Sequence, residues 1–235
     1  MATRIAQSIG LHRSLSTHYH PHELQFVMKE HNLRDCVWWL CYCLDKKLSF
    51  ETGRPSAIND SDCDADLPDL LEASTPPTHI NGGPDLPSFF LSLIDLCKRI
   101  SSISYDLFNI KTPQLDVKTL AEHIRNAATL LENWRVQLSD QLDSNRSTFG
   151  SNSELQAMAA PLLNCIYLNA LVAVHRSSLI AAYRTDHVPA PRIAASEKIC
   201  LDAAHKLAHE VNMLIAEPRT IATPRSVQPP SLYHS

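Results

Sequence analysis

Apolar residues recur three and four positions apart along most of this chain, and no stretch alternates apolar with polar for more than a few residues. That spacing predicts helices and no sheet. Ile5, Ala6 and Ile9 form a short stripe closed by Gly10, which suits the position just after a helix. Pro21 fits the first position of the next helix, whose stripe takes in Leu24, Val27, Val37, Leu40, Cys41, Leu44 and Leu48. It stops at Gly53-Arg54-Pro55, where Gly caps and Pro forbids continuation. Further stripes run through Phe89, Phe90, Leu93, Cys97, Ile100 and Leu107, and from Val117 to Leu142 behind Asp116 as N-cap. Asp143 to Ser153 reads as a polar break, with Ser153 and Gln156 as a capping box. Leu155, Ala159, Leu162, Leu163, Ile166, Ala170 and Val174 lie on a face too apolar for a surface helix. That helix is expected to be central and to start or kink at Pro161. Ile193, Cys200, Ala203, Leu207, Val211 and Leu214 mark the last helix. The predicted fold class is all-α, an irregular multi-helix bundle over residues 1–216. It carries a long acidic, Pro-rich loop at 56–87 and ends in a disordered Pro-rich tail at 217–235.

Composition narrows this picture. With 235 residues there is room for one domain with a sizeable core. Five glycines leave few tight hairpins, which argues further against β structure. A net charge of −4 gives no general attraction to nucleic acid, and Lys46-Lys47 is one of the few local basic pairs. No apolar run approaches the roughly 18 residues of a membrane span, so no membrane partner is expected. The seven cysteines are odd in number and include no CxxC pair, so no zinc framework or redox motif is expected and the thiols read as buried and reduced.

Candidate chemistry is sparse. His18, His20 and His22 alternate as metal ligands can, but they also read as a polar loop before a helix, the reading preferred. Asp60, Asp62, Asp64 and Asp66 alternate as in a calcium loop, yet the positions needing Gly and Glu hold Ala65 and Leu71, which leaves a solvated acidic loop. Cys165 and His175 could be imagined as nucleophile and base, but ten residues apart on one apolar helix they do not share a spot. No phosphate-binding glycine loop, GxSxG elbow or HExxH helix occurs. The chain is expected to have no catalytic, metal-binding or DNA-contacting residue.

One block is more distinctive. Gly10-Leu11-His12-Arg13 is followed by Trp38-Trp39-Leu40-Cys41-Tyr42-Cys43-Leu44-Asp45, then Gly53-Arg54-Pro55, then acidic residues and Leu67-Pro68. In this order the block resembles the fungal-specific transcription factor domain, the regulatory middle region of fungal zinc binuclear cluster transcription factors. The resemblance is close over residues 2–68 and weaker to Leu214, through Leu168–Arg176 and Cys200–Ala204. It implies a nuclear transcription regulator. It also implies a DNA-binding zinc cluster of six cysteines, which this chain does not carry. The basic cluster that often leads into the Trp pair keeps only Arg34. The chain is therefore expected to be a truncated regulator needing no cofactor of its own and reaching DNA only through a partner. It would act by contacts with other proteins or with a small-molecule effector, and self-associate where helices are missing.

The motif residues read as structural. Adjacent on a helix, Trp38 and Trp39 point about 100° apart and can pin two neighbours at once; lining a ligand pocket is the less favoured alternative. Asp45 is expected to accept hydrogen bonds from Arg54 or a nearby backbone. The rival to the whole reading is an all-α small-molecule-binding or interaction protein with no DNA role, and a third is a poorly folding remnant.

Overall fold

The computed structural model describes residues 2–14, 21–68, 86–109, 112, 116–148, 154–184 and 189–216. The described residues form α1 (Ala2–Ser8), α2 (Pro21–Thr52), a 3-10 turn (Asp60–Asp62), α3 (Leu86–Leu107), α4 (Val117–Thr148), α5 (Glu154–Arg184) and α6 (Ala190–Ala216), with no strand among them. The all-α expectation holds. The tail at 217–235, His18 and His20, the His22 side chain and Ser153 lie outside the described residues.

Helix ends follow local chemistry. After α1, Gly10 takes φ +73° while its N–H bonds the Gln7 carbonyl and the Leu11 N–H bonds that of Ala6. This double closure uses the left-handed conformation glycine reaches at least cost. Gly53 repeats it after α2, with φ +66° and Arg54 N donating to Ser49 O. Asp116 caps α4, its carboxylate accepting from Thr119 N at 2.6 Å. The polar break expected from Asp143 begins later: α4 continues to Thr148 because its residues from Asp143 onward include no Gly or Pro to stop it. Pro161 lies within α5.

α2 and α3 run parallel. Along them Cys43 meets Cys97 and Phe50 meets Phe108, pairs that advance together in sequence. Parallel neighbours need a long return connection, and residues 53–68 are its described part, the return segment; the rest of the expected loop at 56–87, up to residue 85, lies outside the described residues. α4 returns antiparallel to α3, with Trp134 Nε1 donating to Ser92 O and Arg99 reaching Leu130 O. α5 packs on α2, α3, α4 and α6, which makes it the central helix. Its segment Ala159–Ala182 is in fact long and apolar enough to cross a membrane, contrary to the sequence expectation. Here that face is spent on neighbouring helices: Leu163, Leu168, Ala170 and Val174 are buried in one core with Leu96, Ile100, Leu131 and Trp134. A second core joins α1, α2, α3 and the return segment through Leu11, Trp38, Trp39, Tyr42, Ile58, Ile94 and Cys97.

One stripe was misassigned from sequence. Val37, Leu40, Leu44 and Leu48 on α2 are exposed, while Trp38, Trp39, Tyr42, Cys43, Lys46 and Phe50 are buried. At 100° per residue the buried set spans about 140° and the exposed set about 80° on the other side. α2 is apolar on both faces, so periodicity alone gave no direction. The aromatic rings bury more area per residue, and the inward face is theirs.

Between α5 and α6, His175 is buried with Nδ1 3.4 Å from Ser196 Oγ. Burial pushes its pKa below the ordinary 6.5. The unfolded chain then binds that proton more readily. Stability is therefore full above about pH 6.5 and falls as pH drops below it. Urea midpoints measured between about pH 7.5 and 5.5 should decline on acidification, with a flatter slope in His175→Gln.

Candidate functional site

Most of the motif residues converge on one corner, where α1, α2 and the return segment meet over α3, while Gly53, Arg54 and Pro55 lie beyond the C-terminal end of α2. Trp38 is fully buried, its ring 5.8 Å from that of His12. Trp39 faces the other way. Its ring packs edge-on to Tyr42 at 5.1 Å, carries the Lys98 ammonium at 4.5 Å, and its indole N–H donates to Asp66 O at 2.7 Å. The pair thus touches the turn after α1 with one ring and α3 plus the return segment with the other.

The return segment is strapped to the fold, although Asp60, Asp62, Asp64 and Asp66 all stay exposed as expected. Ser14 N donates to Asp64 Oδ1 at 3.0 Å, Ser14 Oγ to Asp66 Oδ2 at 2.5 Å, and Asp64 N to His12 O at 3.1 Å. Arg13 adds an exposed ion pair to Asp64 at 3.2 Å, which contributes little by itself. Asp60 bonds Lys46 at 2.9 Å and accepts from Ser101 Oγ at 2.6 Å. Of the four alternating acids expected to face water, three are therefore tied to the fold. The carboxylates are local enough in sequence to see, but their partners lie up to 52 residues away.

Lys46 was missed by sequence reasoning, which counted it only as part of a local basic pair. It is 4% exposed, donates to Ile58 O at 2.7 Å, and lies 5.2 Å from the Tyr42 ring centroid. Asp45 beside it accepts from Ser56 Oγ at 2.6 Å, Ala57 N at 3.2 Å and Ile58 N at 3.1 Å. Its partners are the strap's own backbone and Ser56, not Arg54. Adjacent residues of opposite charge thus hold the same turn, one by its N–H groups and the other by its carbonyl. Gly53, Arg54 and Pro55 are exposed, and Pro68 is buried while Leu67 is not.

Beside this turn lies a cleft of about 860 Å³ between the ends of α2 and α3, lined by Lys46, Arg54, Lys98, Ser101, Tyr105 and Phe108 among others. Its three cations face one carboxylate, Asp60. Arg54 follows the C-terminus of α2, where a cation is favoured without any ligand, while Lys46 and Lys98 lie within α2 and α3.

Reactive groups are lacking around the corner. Burial pushes the Cys63 thiol up to about 11, and the Cys36, Cys165 and Cys200 thiols up as well. The Cys43 thiol is raised by its hydrogen bond with Cys97 and by burial. Thiols held protonated are poor nucleophiles and poor metal ligands. The family's zinc does not fit these residues: the cysteines are spread over α2, the strap, α3, α5 and α6, and the described residues contain no group of three His, Cys, Asp or Glu able to hold a metal.

A model of the fungal specific transcription factor domain matches residues 1–147, the span that builds α1 to α4 and the strapped corner. The chain belongs to this family. It is 28% identical over 227 residues to an ABC-transporter-regulating transcription factor of Aspergillus fumigatus, covering 86% of this chain and 23% of that protein. It is 29% identical over 191 residues to the Fusaridione A cluster transcription factor fsdR of Fusarium heterosporum, covering 80% and 34%. An uncharacterized transcriptional regulatory protein of Schizosaccharomyces pombe is 26% identical over 210 residues, covering 87% and 24%. The chain thus spans about a quarter to a third of the length of these relatives. No solved structure matches it. In this family member the block of motif residues builds the strapped corner.

Three pairs of substitutions probe the corner. Trp38 Nε1 is buried without a hydrogen-bond partner, whereas Trp39 Nε1 is bonded. Trp38→Ala or Trp39→Ala should each cost about 3–5 kcal/mol. The Phe variants shrink both rings alike, so Trp39→Phe should cost about 1–2 kcal/mol more than Trp38→Phe. For the buried ammonium, Lys46→Met should cost about 2–3 kcal/mol. Asp60→Asn should cost about 0–1 kcal/mol because that carboxylate is half exposed. Urea unfolding followed by circular dichroism measures all six.

Proposed function

We propose that this chain is the regulatory, non-catalytic part of a fungal transcription regulator. It works in the nucleus through contacts with other proteins and reaches promoters only through them. The observation that carries this reading is the family match over residues 1–147, whose motif residues are spent on holding a scaffold. A net charge of −4 and the dispersed cysteines support a chain with no DNA-contacting surface and no zinc of its own. The raised cysteine pKa values and the neutral, buried His175 support the absence of catalysis.

A second reading, effector sensing, is favoured by the cleft. The Arg54 side chain lines it without a hydrogen-bond or ion-pair partner among the described residues. A small organic anion is the chemistry that guanidinium would accept.

Fused to a heterologous DNA-binding domain in a fungal reporter strain, the chain should change transcription at least about threefold. A fluorescent fusion should concentrate in the nucleus. Purified protein should give no sequence-specific mobility shift at physiological salt and should hold less than stoichiometric zinc by emission spectroscopy. A silent, cytoplasmic fusion would overturn the regulatory reading, and a specific shift with bound zinc would overturn its indirect route to DNA.

A further inference from the structure

We propose that Ser61 is a phosphorylation site for an acid-directed serine/threonine kinase, and that the phosphoryl group it receives is held by the cations of the cleft beside it. This inference does not depend on the regulatory reading, and it gives the cleft an anion from its own wall in place of a free one.

The local sequence is Asn59-Asp60-Ser61-Asp62-Cys63-Asp64, which puts a carboxylate before the serine, one directly after it and one three residues on. A kinase with a basic substrate groove selects a hydroxyl by that charge pattern. Ser61 is exposed, and its hydroxyl has no hydrogen-bond partner. Its backbone sits in a single 3-10 turn closed by bonds of 3.1 and 3.3 Å and flanked by extended residues at Asn59 and Cys63. So short a turn opens at little cost, as fitting an extended kinase groove requires. Ser92, Thr119 and Thr129 also have an acid three residues on, but they lie within α3 and α4, where the backbone is locked into long helices. Ser92 is buried as well, and Thr129 Oγ1 is spent on Arg125 O at 2.9 Å.

The cleft explains where the new charge would go. Ser61 lines it together with Lys46, Arg54, Lys98 and Asp60. Three cations against one carboxylate leave an excess of two positive charges, close to the charge of about −1.5 to −2 that a phosphoserine carries at pH 7. Lys46 already holds Asp60 and Lys98 lies over the Trp39 ring, but the Arg54 guanidinium has no partner. A guanidinium binds phosphate through two parallel hydrogen bonds. Asp60 is fixed by Lys46 and by Ser101 Oγ, so the residue next to Ser61 is anchored to both α2 and α3. The phosphoryl group would draw Arg54 across the mouth of the cleft and tie the end of α2 to the strap.

ATP is the phosphoryl donor. The bond from Ser61 Oγ to the γ-phosphorus forms as the bond from that phosphorus to the β,γ-bridging oxygen breaks, ADP leaves, and the hydroxyl proton passes to the base of the kinase.

The purified chain, incubated with an acid-directed kinase of the casein kinase type and magnesium ATP, should gain one phosphoryl group of about 80 Da, and fragment mass spectrometry should place it on Ser61. Ser61→Ala should abolish the gain. Asp62→Asn should slow it at least about fivefold with circular dichroism unchanged, because the Asp62 side chain holds nothing in the fold. Phosphorus NMR then reads the cleft. Lys46 on α2, Arg54 after it, Lys98 and Tyr105 on α3, and Asp60, Asp62, Cys63 and Asp64 on the strap are the charged and titratable groups around the phosphate. A phosphopeptide of residues 56–66 keeps the acids and lacks the cations. Cations favour the dianion, so the phosphate in the folded chain should titrate at least about 0.5 pH below the peptide, and Arg54→Gln should remove most of that difference. Inorganic phosphate at about 10 mM should leave the melting temperature of the unmodified chain within error. No phosphate on Ser61, or faster incorporation at another residue, would overturn the proposal. A titration equal to that of the peptide would overturn the role of the cleft. A melting temperature raised by inorganic phosphate and restored by Arg54→Gln would assign the cleft to a free anion instead.

Discussion

The ammonium of Lys46, buried between α2 and the strap, is the contact on which the arrangement of this chain turns. α2 and α3 lie parallel, so the segment joining them must travel the length of the pair and cannot be a short turn. Such a connection is costly to order unless something fixes its start. Lys46 fixes it by bonding Ile58 O and Asp60, while Asp45 takes the N–H groups of Ala57 and Ile58. Asp60 then reaches Ser101 on α3. Three elements are tied through one buried charge, and that charge is satisfied at every turn.

The strap is a sequence of such ties. After Ile58 enters the core, Asp64 and Asp66 hold Ser14 and Trp39 donates to Asp66. The first 14 residues and the strap are thereby zipped together beside the two indoles. This explains why glycine closures at Gly10 and Gly53 stand at either side of the corner: each ends a helix abruptly so that the following residues can turn back onto it. These ties fix the corner, and α2, which carries both indoles, is left with an apolar face turned outward.

The central position of α5 rests on a different economy. It is apolar enough for a membrane, and in this fold the same surface is shared among α2, α3, α4 and α6. Its two polar buried residues, His175 and Ser178, lie toward the C-terminal half, and His175 stays neutral beside Ser196. The α4 side is held by polar groups at its rim, with Tyr167 donating to Glu132 and Arg135 lying over the Tyr167 ring.

The sequence by itself determined the helical class, the helix ends at Gly10, Gly53 and Asp116, and the central place of α5. These follow from periodicity and from backbone preferences that act within a few residues. The order of GLHR, the Trp pair, GRP and LP also pointed to the family that the comparison supports. Which face of α2 is inward was not in the sequence, because both faces are apolar and only the positions of α1, α3 and the strap break the tie. The burial of Lys46 was not legible for the same reason: a lysine is buried only where a carbonyl and a carboxylate wait for it, and Ile58 and Asp60 come to it by the fold of the chain. The alternating aspartates are exposed as they read, but their ties were not legible because the partners, Ser14 and Ser101, are some 40 to 50 residues away. Local chemistry set where each helix stops; only the tertiary structure decided what each charge would meet.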